Sequence, residues 1–195
     1  MKDFLITAAG NEKKAWEIIR ETNIINIWES EGMEINLVGS LANGLLMKHR
    51  DIDFHIYSPS LHIHQSFSAI SRLAENPAIK HIEYTNLIDT EEKCIEWHAW
   101  YSDVDNESWQ IDMIHILKGS FFDGHAEKLA KRISEVITPE TKEAILRIKN
   151  DTPESEKIAG FEYYKAVIKD GIRDYSGFTK WREKNPVTGI DLWIP

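Results

Sequence analysis

Two carboxylates on one side of a single strand constrain this chain more than any other feature. In Asp51-Ile52-Asp53-Phe54-His55-Ile56-Tyr57 apolar residues alternate with polar ones, the period of a half-buried β-strand. Side chains two apart face the same way, so Asp51 and Asp53 project together while Ile52 and Phe54 point to the other side. Carboxylates held side by side repel each other unless a cation lies between them. An oxygen-only donor pair of this kind suits Mg2+ or Mn2+.

Upstream, Ile35 to Val38 is a short apolar run that stops at Gly39. A residue without a Cβ lets the backbone turn sharply there and lets a ligand approach the main chain. Ser40 adds a hydroxyl beside bare backbone N–H groups. Such a turn forms a concave nest of donors, and if residues 41–46 enter a helix, its N-terminus adds positive potential. An anionic phosphate is the natural occupant. Strand, tight turn and strand then place a divalent cation beside a phosphate cradle, which means phosphate chemistry.

Gly39-Ser40, ten residues (41–50) and Asp51-Ile52-Asp53 resemble the signature of the polymerase-β-type nucleotidyltransferase superfamily. Gly39-Ser40-Leu41-Ala42-Asn43-Gly44 is similar to the Gly-Ser-x-Ala-x-Gly of its minimal members, and His49-Arg50-Asp51-Ile52-Asp53 to the His-x-Asp-x-Asp of some antibiotic nucleotidyltransferases. The strong resemblance covers residues 35–57. It implies a nucleotidyltransferase fold, with Gly39 and Ser40 on the β,γ-phosphates, Asp51 and Asp53 on the metal, and a third carboxylate on a neighbouring strand between apolar residues. Asp112, in Trp109-Gln110-Ile111-Asp112-Met113-Ile114-His115-Ile116, fits that place best. Asp103 and Asp105 belong to a stretch that reads as a turn. Minimal members often carry basic residues at the positions of Leu41 and Asn43, and a Ser where Arg50 stands. Lys48 and Arg50, at the far end of the loop, are the candidates to supply that charge to a nucleotide.

With 195 residues, 42% apolar and 28% charged, the chain is long enough for one sizeable core and has the composition of an ordered protein. Its formal net charge of −9 argues against broad sequence-independent binding of DNA or RNA, which needs many Lys and Arg. The single Cys94 rules out an intramolecular disulfide or a Cys-based zinc site and suits a reducing compartment. Met1 to Thr7 meets the charged Glu12 to Lys14 before an apolar core of signal-peptide length develops. No stretch approaches the roughly 18 apolar residues of a membrane span. A cytoplasmic location is the expectation.

Asn11 is positioned to cap a helix through Ala15, Ile18 and Ile19, and Ile63, Phe67, Ile70 and Ala74 mark the buried stripe of another. Residues 79–88, 93–102 and 109–117 read as strands, the last two as a hairpin that sets Asp112 beside the Asp51–Asp53 strand. From residue 120 the pattern turns helical, with Thr138-Pro139 a helix start. The expectation is an α+β fold: a catalytic domain over 1–119 with a mixed sheet and flanking helices, then a C-terminal helical extension over 120–195. His62 and His64 read as solvated helix-start residues, His115 as a core-facing side chain, and Cys94 as a small buried hydrophobe. Trp97, Trp100 and Trp109 read first as core, with a base-stacking wall as the alternative.

The function expected from the resemblance is Mg2+- or Mn2+-dependent transfer of a nucleoside monophosphate from an NTP to a hydroxyl of a small molecule, an antibiotic among them, or of a macromolecule. The catalytic and metal-binding set is Asp51, Asp53 and Asp112; the nucleotide-binding set is Gly39, Ser40, Lys48 and Arg50. The competing expectation is an inactive, nucleotidyltransferase-like binding partner of toxin–antitoxin type. The acceptor, the base of the NTP and the oligomeric state are open in the sequence.

Overall fold

A computed structural model of the chain describes residues 3–187 and 192–195, so Met1-Lys2 of the opening segment lies outside the described residues. Helices α1 (Asp3–Thr22) and α2 (Ile24–Ser30) precede β1 (Glu34–Val38), a single turn α3 (Gly39–Ala42) and β2 (Asp51–Ser58). Then come α4 (Ile63–Ala74), β3 (Ile79–Leu87), β4 (Cys94–Ser102) and β5 (Ser108–Leu117). The chain continues with α5 (His125–Val136), α6 (Pro139–Asp151), α7 (Gly160–Tyr164), which runs into a π-helical turn at Lys165–Lys169, and α8 (Tyr175–Lys184). The sheet has the order β1-β2-β5-β4-β3. β2 and β5 run parallel and the other neighbours antiparallel, so the sheet is mixed and the fold is α+β.

Strand alternation divides the sheet into two unlike faces. One carries Ile52, Phe54, Ile56, Ile95, Trp97, Ala99, Ile111 and Met113, all buried, and packs on α1, α2 and α4 through Ala15, Ile18, Trp28, Ile70 and Leu73. Each fully buried Ile, Leu or Phe here contributes roughly 1.5–3 kcal/mol relative to exposure. The other face carries Asp51, Asp53, Gln110, Asp112 and His98. Its cover comes from the second half of the chain.

A second core joins both halves of the sequence. Phe4, Leu5 and Ala8 from the start of α1, with Leu45 and Met47 from the loop before β2, pack against Ile145, Ile148, Tyr163, Tyr164, Phe178 and Trp181. Helix α1 therefore begins at Asp3, eight residues before the capping position expected at Asn11, because its first two turns have their own apolar partners. Asn11 instead donates from Nδ2 to the carbonyl of Met47 at 2.7 Å.

Two further expectations shift. The buried stripe of α4 is Ser66, Ala69, Ile70 and Leu73, whereas Ile63 and Phe67 are 39% and 45% exposed. Ser66 takes a core position because it accepts from Trp97 Nε1 at 2.8 Å, satisfying a buried indole that an aliphatic residue would leave unpaired. Trp97 and Trp109 are core residues, and Trp100 lies on the opposite face with its ring 4.8 Å from that of His81, so these indoles form no common wall. Thr138 caps α6 with Pro139 at the first helical position and a reciprocal bond to Thr141, as the sequence predicts. His115 is fully buried on the core face, bonded to Ser58 Oγ at 2.6 Å, and Cys94 is buried with its thiol pushed up to about 12 by desolvation.

Candidate active site

Register brings the expected carboxylates together. Asp53 pairs with Asp112 across the parallel β2–β5 ladder, and Asp51 pairs with Gln110, so Asp51, Asp53 and Asp112 share one face. Their fields overlap. Burial is the first cause that lifts the Asp53 carboxyl well above the usual carboxylate range, and the charges of Asp51 and Asp112 add to it. Asp51 is also raised, by burial first, with Asp112 again adding to the shift. Lys149 and the N–H of Ser40 pull Asp53 the other way.

Gly39 makes room for this arrangement. Its φ is +68°, and a Cβ there would stand 2.0 Å from Asp53 Oδ2, so both the turn and the close approach require glycine. Gly39 and Ser40, which the sequence reading assigns to a phosphate cradle, line a cavity together with Asp51, Asp53 and Asp112. α3 is a single turn of four residues.

The cation at the turn comes from far along the chain. Lys149 of α6 donates from Nζ to Ser40 Oγ at 2.7 Å and to the Leu45 carbonyl at 3.0 Å. Its ammonium lies over the rings of Tyr163 and Tyr164, 5.6 and 5.4 Å from their centroids. Tyr164 OH stands 3.0 Å from Ser40 Oγ. Lys48 and Arg50 are otherwise engaged: Lys48 Nζ donates to the Thr152 carbonyl at 2.8 Å and Arg50 pairs with Glu107 at 2.6 Å. Arg50 Nε is nevertheless buried without a hydrogen-bond partner.

Two cavities flank the carboxylates. One of about 380 Å³ is lined by Ser40, Asp51 and Asp112 together with Lys48, Arg50, Lys149, Lys157 and Tyr163. The other, about 400 Å³, is lined by Asp51, Asp53 and Asp112 with His55, Leu129, Phe161 and Tyr164. The first is lined by Lys and Arg as well as carboxylates; the second has no Lys or Arg among the described residues of its wall.

The donor set fits a divalent cation in its chemistry. All three groups are carboxylates, they raise one another's affinity for a positive charge, and they border open cavities. With the side chains as they stand, no three His, Cys, Asp or Glu among the described residues are arranged to hold a metal ion. Asp112 Oδ1 is met by His98 Nδ1 and Gln110 Nε2.

No family model and no curated protein matches the sequence. Solved structures do. The Cid1 poly(U) polymerase with magnesium and 3′-dATP bound is 14% identical, with a TM-score of 0.55 over 89% of this chain and 58% of that one. A Cid1 structure described for its RNA terminal uridylyl transferase activity is 15% identical, with a TM-score of 0.55 over 80% and 46%. The poly(A) polymerase complex GLD-2–GLD-3 gives 8% identity and a TM-score of 0.53 over 98% and 67%. The chain spans about half the length of the terminal uridylyl transferases it matches. At such identities the likeness shows the fold alone: the chain shares the fold of these poly(U) and poly(A) polymerase structures.

Proposed function

We propose that the chain is a nucleotidyltransferase, transferring a nucleoside monophosphate from an NTP to a hydroxyl of a second substrate and releasing pyrophosphate. The observation that carries this is the register of Asp51, Asp53 and Asp112 on one sheet face, with Lys149 anchored at Ser40 beside them. Asp51, Asp53 and Asp112 would hold Mg2+ or Mn2+. A divalent cation held there would supply Lewis-acid stabilisation of the negative charge on the phosphoryl oxygens.

The protein's own groups supply the rest. Gly39 and Ser40 shape the turn against which the polyphosphate lies, and Lys149 offsets its charge. Lys48, Arg50 and Lys157 line the same basic cavity, so the triphosphate is assigned there and the acceptor to the cavity without Lys or Arg. The acceptor oxygen attacks the α-phosphorus as its bond to pyrophosphate breaks, and the hydroxyl proton passes to solvent. In this reading residues 1–119 carry the carboxylates, and the helices of 120–195 complete the site through Lys149, Tyr163 and Tyr164. The net charge of −9 favours a small acceptor over a long nucleic acid, although RNA is what the Cid1 structures are described as acting on. No helix among the described residues is long and apolar enough to cross a membrane.

Mn2+ or Mg2+ should raise the melting temperature of the protein, and Asp53→Asn should abolish most of that rise while leaving metal-free protein as stable as before, since it relieves repulsion. No metal-dependent shift in the parent, together with simple destabilisation by Asp53→Asn, would make the carboxylates structural and favour the inactive binding partner.

A further inference from the structure

We propose that His98 is a positioning residue for Asp112, fixing that carboxylate for its part in the site; this rests on the function proposed above. The three carboxylates are held by different means. Asp53 is enclosed by burial against Gly39. The Asp112 side chain, 21% exposed, has no such enclosure, and the terminal torsion of an aspartate is broad and easily turned. His98 stands opposite it on β4. His98 Nδ1 lies 2.6 Å from Asp112 Oδ1, and Gln110 Nε2 donates to the same oxygen at 2.8 Å.

Both anchors meet Oδ1 and neither meets Oδ2, and Asp112 lines both cavities. An ionised carboxylate only accepts, and the bond therefore places the His98 hydrogen on Nδ1. Gln110 lies two residues before Asp112 on β5 and shares its face by parity; His98 reaches across from the next strand. Two donors from two strands fix both the tilt and the rotation of the carboxylate, which one donor cannot do. Partners of this kind orient ligating groups, and losing one costs metal affinity about 10–100-fold.

The geometry also says which replacement restores the function. The amide nitrogen of Asn reaches from the backbone as far as imidazole Nδ1, whereas that of Gln reaches where Nε2 stands, and His98 Nε2 lies toward Glu96, 4.0 Å away. Mn2+ binding by electron paramagnetic resonance on the full chain, without turnover, tests this alongside thermal melts of each variant. His98→Ala and His98→Gln should weaken Mn2+ binding about 10–100-fold, and His98→Asn should recover most of the loss. Equal Mn2+ affinity in folded His98→Ala and parent overturns the positioning role alone. Asn and Gln variants weakened alike would overturn it too, since a bulk packing role makes no distinction of donor position. A parent that binds no Mn2+ removes both this role and the function on which it rests.

Discussion

Replacing Gly39 by alanine should be among the most damaging single-methyl changes in the protein. Its Cβ would stand 2.0 Å from Asp53 Oδ2 and 2.7 Å from Cγ, where ordinary contact begins at 3.4 Å. The Asp53 carboxyl must retreat by more than an ångström, away from the Ser40 N–H that favours its charged form. A left-handed backbone costs a non-glycine residue about 1–2 kcal/mol, and the loss of that N–H about 1.5–3 kcal/mol if the acceptor is ionised. The expected destabilisation is about 2.5–5 kcal/mol, read from urea unfolding followed by the fluorescence of the buried Trp28, Trp97 and Trp109. A double-mutant cycle separates the causes. In an Asp53→Ala background the two shortest contacts vanish and only the 3.0 Å contact with the Cβ of residue 53 remains, so Gly39→Ala should then cost little beyond the backbone part of about 1–2 kcal/mol. Equal costs in the two backgrounds, or a cost in the parent below about 1 kcal/mol, would refute the close-approach reasoning.

Two other perturbations test the electrostatics. Burial lowers the His115 imidazole to about 4 from about 6.5 in an unfolded chain. A folded pKa depressed in this way gives stability that is fully present above about pH 6.5 and is lost as the pH falls toward 4, up to about 3 kcal/mol; His115→Gln should flatten that part of the urea stability profile, and an unchanged slope would exclude His115 as its source. Lys149→Met should weaken binding of a non-hydrolysable NTP in calorimetry about 10–100-fold while the protein stays folded, the loss expected of a charge-assisted bond. Replacing both Lys48 and Arg50 by Ala should cost less, since both are already partnered, and the reverse ranking would return the phosphates to the loop.

Strand parity made the acidic face readable from the sequence. A period of two places Asp51 and Asp53 together, and β5 carries the same alternation, which sends Asp112 to their side and His115 to the core. What parity cannot show is the contribution of distant helices. Ser40 meets Lys149 and Tyr164 across 109 and 124 positions, and nothing local to residue 149 marks it: a lysine on an amphipathic helix is ordinarily a solvated one. The α4 stripe departs from its apolar periodicity for a related reason. Periodicity counts apolar residues, and Ser66 is buried for its hydroxyl. The early start of α1 was hidden because Phe4, Leu5 and Ala8 serve a different core from Ala15 and Ile18, so the two halves of one helix follow different partners.

That second core also sets an order on biosynthesis. Phe4, Leu5, Leu45 and Met47 leave the ribosome early, yet Phe178 and Trp181, which pack with them, follow Met47 by on the order of ten seconds at about 5–20 residues per second. During that interval the nascent chain displays sticky side chains beside the loop that leads to Asp51, a surface on which chaperones act. It also holds its acidic pair without the ammonium of Lys149. An interrupted product would therefore be recognisable as unfinished by its greasy N-terminal turns, and electrostatic balance at the carboxylates arrives only with α6.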